Sequence, residues 1–168
     1  MRPLAWLLGR WHGMLCHMAN RFEGEETSVS RVTAYLGGRP VLKRAVHSRL
    51  DLVPLVRAGL PYAALEAVGQ RLQRSVESTA ASLQLPTRTL ARRKASGRLD
   101  ASESERVVRL AEVAAWAGQI FGEAGARRWL EEPNRALGGA SPLEMLDTDL
   151  GAEAVRDVLG RIEDGVFS

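Results

Sequence analysis

This chain of 168 residues has one cysteine, few aromatics and no long apolar run, and each scarcity closes off a class of protein. A lone Cys16 cannot build an internal disulfide framework and fits a reducing, cytoplasmic setting. No apolar stretch approaches the roughly 20 residues that a membrane-spanning helix requires. Near the start, the apolar segment Leu4–Leu8 stops at Gly9-Arg10 with no small-x-small step after it. A secretory signal is therefore not expected, and Met18 stands as an alternative start. His12, Cys16 and His17 lack a fourth ligand nearby, so neither a metal nor a cofactor is expected. Strand signals are almost missing, with no alternating β-branched run and no Asn-Gly hairpin. A Ser/His/Asp arrangement, a phosphate loop and a His-Glu metal helix are missing as well, which places binding ahead of catalysis.

What is present reads as helices. Hydrophobic residues make up 45% of the chain but aromatics only 5%, which implies a core of Leu, Val and Ala and an all-α fold. Pro61 opens "PYAALEAVGQRL", where Leu65, Val68 and Leu72 recur at helical spacing. Ser75 is placed to cap "VESTAASLQ", and Thr87 to cap "RTLARRKAS", which stops at Gly97. Ser102 and Glu105 suggest a capping box before a long helix whose stripe is Val107, Leu110, Val113, Ala114, Ala117 and Ile120. Gly122 should end that helix, and a shorter one should run to Pro133. Asp149 to Glu163 forms the last helix, with Val155, Val158, Leu159 and Ile162 on one face. Glu131-Glu132 reads as a solvated helix end and Asp147/Asp149 as a helix cap.

Charge divides the chain. Through Asp100 there are 16 Lys/Arg against 7 Asp/Glu, and from Ala101 onward 7 against 13. Between Glu77 and Asp100 no acidic residue occurs, while Arg88, Arg92, Arg93, Lys94 and Arg98 all fall there. Such asymmetry suggests two surfaces for different partners, the basic one suited to phosphates. It coincides with two short helices, Val76–Leu83 and Arg88–Ala95, that read as a helix-turn-helix. Ala80 permits their close approach, and Leu85 and Leu90 fill the space beneath. Thr87, Arg88, Thr89, Arg92, Arg93 and Lys94 are the expected DNA-binding residues, since arginine can clamp a phosphate or a guanine edge. In the turn, Gln84 replaces the usual glycine and Pro86 restricts Leu85.

From Leu60 to Ser168 the chain resembles the Xre/MbcA/ParS antitoxins with their C-terminal toxin-binding domain. The resemblance rests on Trp129-Leu130, Pro133-Asn134, Ala136-Leu137-Gly138-Gly139, Pro142, Leu143, Leu146 and the closing Arg161-Ile162-Glu163. It implies a dimeric antitoxin that blocks the NAD pocket of a RES-domain toxin, which consumes NAD or transfers ADP-ribose from it, and that represses its own operon by binding operator DNA. In that frame residues 1–35 form a tail of uncertain order, 36–100 the helix-turn-helix domain for DNA binding and dimerisation, and 101–168 the toxin-binding domain. Trp129 reads as a core anchor against the last helix. Pro133-Asn134, Leu137 and Gly138-Gly139 bend the chain, and Ser141 caps a turn with Pro142 at its first position. These residues present a tail, Arg161, Glu163, Asp164, Gly165, Val166, Phe167 and Ser168, expected to enter the toxin's NAD site. Two other readings stay open: a stand-alone transcriptional regulator whose C-terminal domain senses or dimerises, and an adaptor with a relict helix-turn-helix.

Overall fold

Residues 28–165 are described by a computed structural model, so His12, Cys16, His17 and the segment Val166–Ser168 lie outside the described residues. The first helix, α1 (residues 28–35), buries Val29, Val32 and Tyr35, with Leu36 just beyond it. The segment assigned above to a tail thus ends in a packed helix, because its apolar residues recur every three or four positions. The Tyr35 hydroxyl donates to Glu123 at 3.0 Å, and the Arg71 guanidinium lies 4.9 Å from the Tyr35 ring centre. Burial, aided by that bond to a carboxylate, pushes the Tyr35 phenol up to about 12.

Two hairpin-like steps follow. A short α2 (Gly38–Leu42) leads to α3 (Arg49–Ala58), which opens on a reciprocal box between Ser48 and Asp51. Pro61 then precedes α4 (Tyr62–Arg71), where Leu65, Val68 and the following Leu72 are buried as their spacing predicts. Helix α5 (Val76–Ser82) is capped by Ser75, whose hydroxyl accepts from the Ser78 N–H at 3.0 Å. Helix α6 (Thr87–Ser96) stops at Gly97 in the left-handed region. Thr87 is its first helical residue and makes no capping bond; Pro86 takes the cap position, since its fixed φ sets the chain for the helix that follows.

Helix α7 (Ala101–Glu131) is the axle of the molecule and packs against α3, α4, α8 and α9. It starts earlier than Ser102/Glu105 suggested. The Leu99 N–H donates to the Leu60 carbonyl at 2.9 Å and Arg98 to the Gly59 carbonyl at 2.6 Å, which pins the entering chain. Asp100 and Glu103 consequently form the capping box. Val107, Leu110, Val113, Ala114 and Ala117 are fully buried, and Ile120 is partly so. Gly122 adopts φ 72, ψ 167, a conformation no helix contains, so α7 kinks where the sequence placed its end.

Beyond the kink, a single 3-10 turn (Arg135–Leu137) and α8 (Pro142–Met145) lead to α9 (Asp149–Glu163). Thr148, not Asp149, caps α9, because its hydroxyl rather than the carboxylate accepts from the Gly151 N–H, at 3.1 Å. Val155, Val158 and Leu159 join one continuous core that runs from Val32 in α1 to α9. Among the described residues, no helix is long and apolar enough to cross a membrane.

Candidate functional site

The basic surface is built on the turn between α5 and α6. Leu83 closes α5, and Gln84 follows in the left-handed region at φ 54. The Gln84 N–H donates to the Ala81 carbonyl at 3.0 Å, and the Leu85 N–H to Ala80 at 2.9 Å. That paired pattern is a Schellman motif, made here without its usual glycine. Ala80 and Leu85 are both buried, so the small residue and the apolar contact serve as the sequence suggested. Gln84 therefore forms the turn that glycine would form, at a backbone cost of roughly 1–2 kcal/mol.

The turn sets α6 with one apolar residue, Leu90, buried and the opposite face outward. Thr87, Arg88, Arg92 and Lys94 are exposed and Thr89 is half-buried. Arg88 and Arg92 share that outward face and make no side-chain hydrogen bond or ion pair among the described residues. Arg93 points the other way. Its Nε donates to Glu103 and its Nη2 to Asp100, both at 2.6 Å. Glu103 is buried, and its other partner is the Asp100 N–H at 2.8 Å. Partial burial works against the Asp100 carboxylate. The N–H donated by Glu103 and the charges of Arg93 and Arg106 outweigh it and hold its pKa below the usual range.

Arg106, one turn further along α7, donates to the Leu83 carbonyl at 2.8 Å and to the Gln84 carbonyl at 3.4 Å. The Leu83 carbonyl is one that a helix end leaves without a partner, and that of Gln84 lies in the turn just past it. Arg109 reaches in another direction, donating to the Leu146 carbonyl at 3.1 Å and pairing with Asp149 at the start of α9. Arg74, between α4 and α5, donates to Ser78 at 2.6 Å and pairs with Glu131 at the far end of α7. None of Arg74, Arg106 and Arg109 was singled out from the sequence. The Asp100-x-x-Glu103 box was readable there; the targets of the arginines were not, since they belong to elements distant in the chain.

The second surface lies on α7 beyond the kink and on α9. Trp129 is only half-buried and stacks on Phe121 across the kink, ring centres 5.6 Å apart. With Gly125, Arg128 and Glu132 the two rings line an open groove of about 380 Å³. Trp129 packs against the edge of the core, and Ala126 and Leu130 are fully buried because they follow the inward face of the helix. The tryptophan that meets the last helix is Trp116. Its indole N–H donates to Glu163 at 3.0 Å, and its ring lies against Gly160.

The loop between is organised as its residue types predict. The Asn134 side chain accepts from the Ala136 N–H at 2.9 Å, its backbone bonds to Ala140 and Gly139, and Pro133 is exposed before it. Gly138 and Gly139 have φ of 68 and 89, Leu137 is buried, and Ser141 and Glu144 complete a capping box with Pro142 at its first position. Arg161, Glu163, Asp164 and Gly165 are exposed at the end of α9. Glu163 is turned back onto Trp116, which leaves Arg161 and Asp164 outward. The remaining residues of the expected tail, Val166, Phe167 and Ser168, lie outside the described residues. Among the described residues no group of His, Cys, Asp or Glu could hold a metal ion.

Comparison with known proteins finds a match for each of two stretches of the chain. Residues 51–112 fit the antitoxin Xre-like helix-turn-helix domain, and residues 117–165 the antitoxin Xre/MbcA/ParS C-terminal toxin-binding domain. The two matches meet inside α7, between Glu112 and Ala117. Antitoxin Xre of Yersinia enterocolitica is 41% identical over 87 residues, 50% of this chain and 59% of the relative. Antitoxin Xre of Pseudomonas putida is 40% identical over 83 residues, 48% of this chain and 52% of the relative. The chain thus spans little more than half the length of these two curated relatives. A Sphingobium protein named Prs ADP-ribosylating antitoxin is 27% identical over 145 residues, 79% of this chain and 91% of its own length. A helix-turn-helix joined through one kinked helix to a toxin-binding domain, each matched on its own, makes this chain a member of the Xre/MbcA/ParS antitoxin family.

Proposed function

We propose that the chain neutralises a RES-domain toxin that consumes NAD, and that it represses its own operon as a homodimer in the cytoplasm. The observation that carries the first part is the end of α9. There Arg161 and Asp164 stand exposed on a helix locked to α7 by the Trp116–Glu163 bond. A rigid stem of this kind lowers the ordering cost of presenting the residues beyond Gly165 to a partner. Arg161, Glu163, Asp164, Gly165, Val166, Phe167 and Ser168 form the toxin-binding tail, with Phe167 as the apolar plug of the NAD site. The Sphingobium relative, whose name joins ADP-ribosylation to an antitoxin, supports an NAD-using partner, since ADP-ribose is transferred from NAD. Trp129 and Phe121 offer the same partner a second, aromatic contact.

Arg88 and Arg92, exposed and unpaired among the described residues, carry the second part. Their face of α6 is free for a major groove, with Thr87, Thr89 and Lys94 beside it for phosphates. One paired experiment tests both parts. Deleting Val166–Ser168 should abolish protection of cellular NAD from the toxin and leave a gel shift of the promoter fragment intact. Replacing Arg88 and Arg92 with Ala should do the reverse. Undiminished protection by the truncated chain would reject the tail, and an unchanged shift would reject the arginines.

A further inference from the structure

We propose that Arg93 and Arg106 are positioning residues for DNA recognition, which together with Glu103 set the pose of α6 without touching DNA. The proposal rests on the DNA-binding reading above. It begins from how little of α6 is buried: Leu90 is its one buried residue, and burial of a leucine contributes about 2 kcal/mol. That contact, with the Tyr62 N–H bonded to the Gly97 carbonyl at 2.9 Å just past the helix, secures one end of α6 but leaves its near end and its rotation about its own axis less constrained. Base reading by arginine tolerates neither, because its paired donors must meet fixed acceptors on a base edge.

Two anchors remove that freedom, and both come from the first two turns of α7. At the far half of α6, Arg93 is gripped by Asp100 and the buried Glu103, each at 2.6 Å. At the near end, Arg106 holds the Leu83 and Gln84 carbonyls of the turn that precedes the helix. Asp100, Glu103 and Arg106 are spaced three apart, so one rail of α7 grips the helix-turn-helix at two separated points. The second anchor also answers the missing glycine. Gln84 costs backbone energy at φ 54, and the hydrogen bonds from Arg106 help hold the turn in that shape. Losing Glu103 would leave Arg93 without its best partner; losing Arg93 would strand a buried carboxylate.

The test uses the full chain and two duplexes of equal length, one from immediately upstream of its own coding sequence and one of random sequence. Affinities for both are read by fluorescence anisotropy, with melting by circular dichroism to follow folding. Charge alone predicts that Glu103→Gln, which makes the protein more basic, tightens binding to both duplexes. The clamp predicts the opposite outcome for recognition: the preference for the upstream duplex falls about tenfold or more. Arg106→Met should lose that preference too, and Arg106→Lys should restore most of it. A Glu103→Gln chain that binds both duplexes more tightly with an unchanged ratio overturns the proposal. So does an Arg106→Met chain that discriminates like the wild type. A wild type without any preference removes the DNA reading and the clamp together, whereas a preference that survives in every variant removes the clamp alone.

Discussion

At the scale of single residues, Gln84 shows most clearly how a motif survives the loss of its signature. Glycine is usual at this turn because the left-handed region carries no steric penalty for it. Gln84 adopts φ 54 regardless, held by the bonds of Leu85 to Ala80 and of Arg106 to the turn carbonyls. Gln84→Gly should therefore raise stability by about 0.5–1 kcal/mol, the relieved strain exceeding the extra entropy of the unfolded chain, as measured by urea unfolding. No gain would mean that the bonds around the turn already offset the strain. Asp100 supplies a second residue-scale prediction. Its pKa is lower in the folded protein than the ordinary value near 4, so its contribution is present above that value and is lost as pH falls through the folded pKa. Amide hydrogen exchange should show α6 losing protection below about pH 4 before α4 does, since α4 has five buried residues and α6 one.

At the scale of elements, the kink in α7 is the decisive feature. Gly122 at φ 72, ψ 167 lies in a region essentially closed to other residues, and the space around its missing side chain is open. The cost of Gly122→Ala is then purely conformational, roughly 1–3 kcal/mol, and should appear as a lower melting temperature with Trp129 moved off Phe121. An unchanged melting temperature and unchanged Trp129 fluorescence would show that the kink is not fixed by Gly122. This element was legible in sequence because glycine punctuates helices on its own. Most helix boundaries were legible for the same reason: Ser75, Gly97, Ser141 and Pro142 act within a few residues of themselves. What the sequence left out is of another kind. Trp129 packs half-buried against the core beside Phe121, while Trp116 bonds to α9, a role the sequence does not single out, because hydrophobicity alone does not say which side of a kink faces the core. Arg93 shares a helix with Arg88 and Arg92 and is expected in sequence beside them as a DNA contact; its pairing with Glu103 is visible only in the fold.

At the scale of the molecule, α7 and its cap carry charged residues at 100, 103, 106, 109 and 112, each step of three falling back about 60° around the helix. The resulting spiral meets α6 at Asp100 and Glu103, the turn before it at Arg106, α8 and α9 at Arg109, and α3 at Glu112, where Arg49 approaches to 2.6 Å. One helix thus binds the basic half of the chain to the acidic half, and the two family domains meet along it. That arrangement suits the proposed function, with DNA at one end and a toxin at the other. The most direct measurement is to express the chain together with the protein encoded beside it and to follow growth and intracellular NAD. The account predicts that the neighbour alone depletes NAD and arrests growth, and that this chain restores both. NAD falling equally with and without this chain would contradict it.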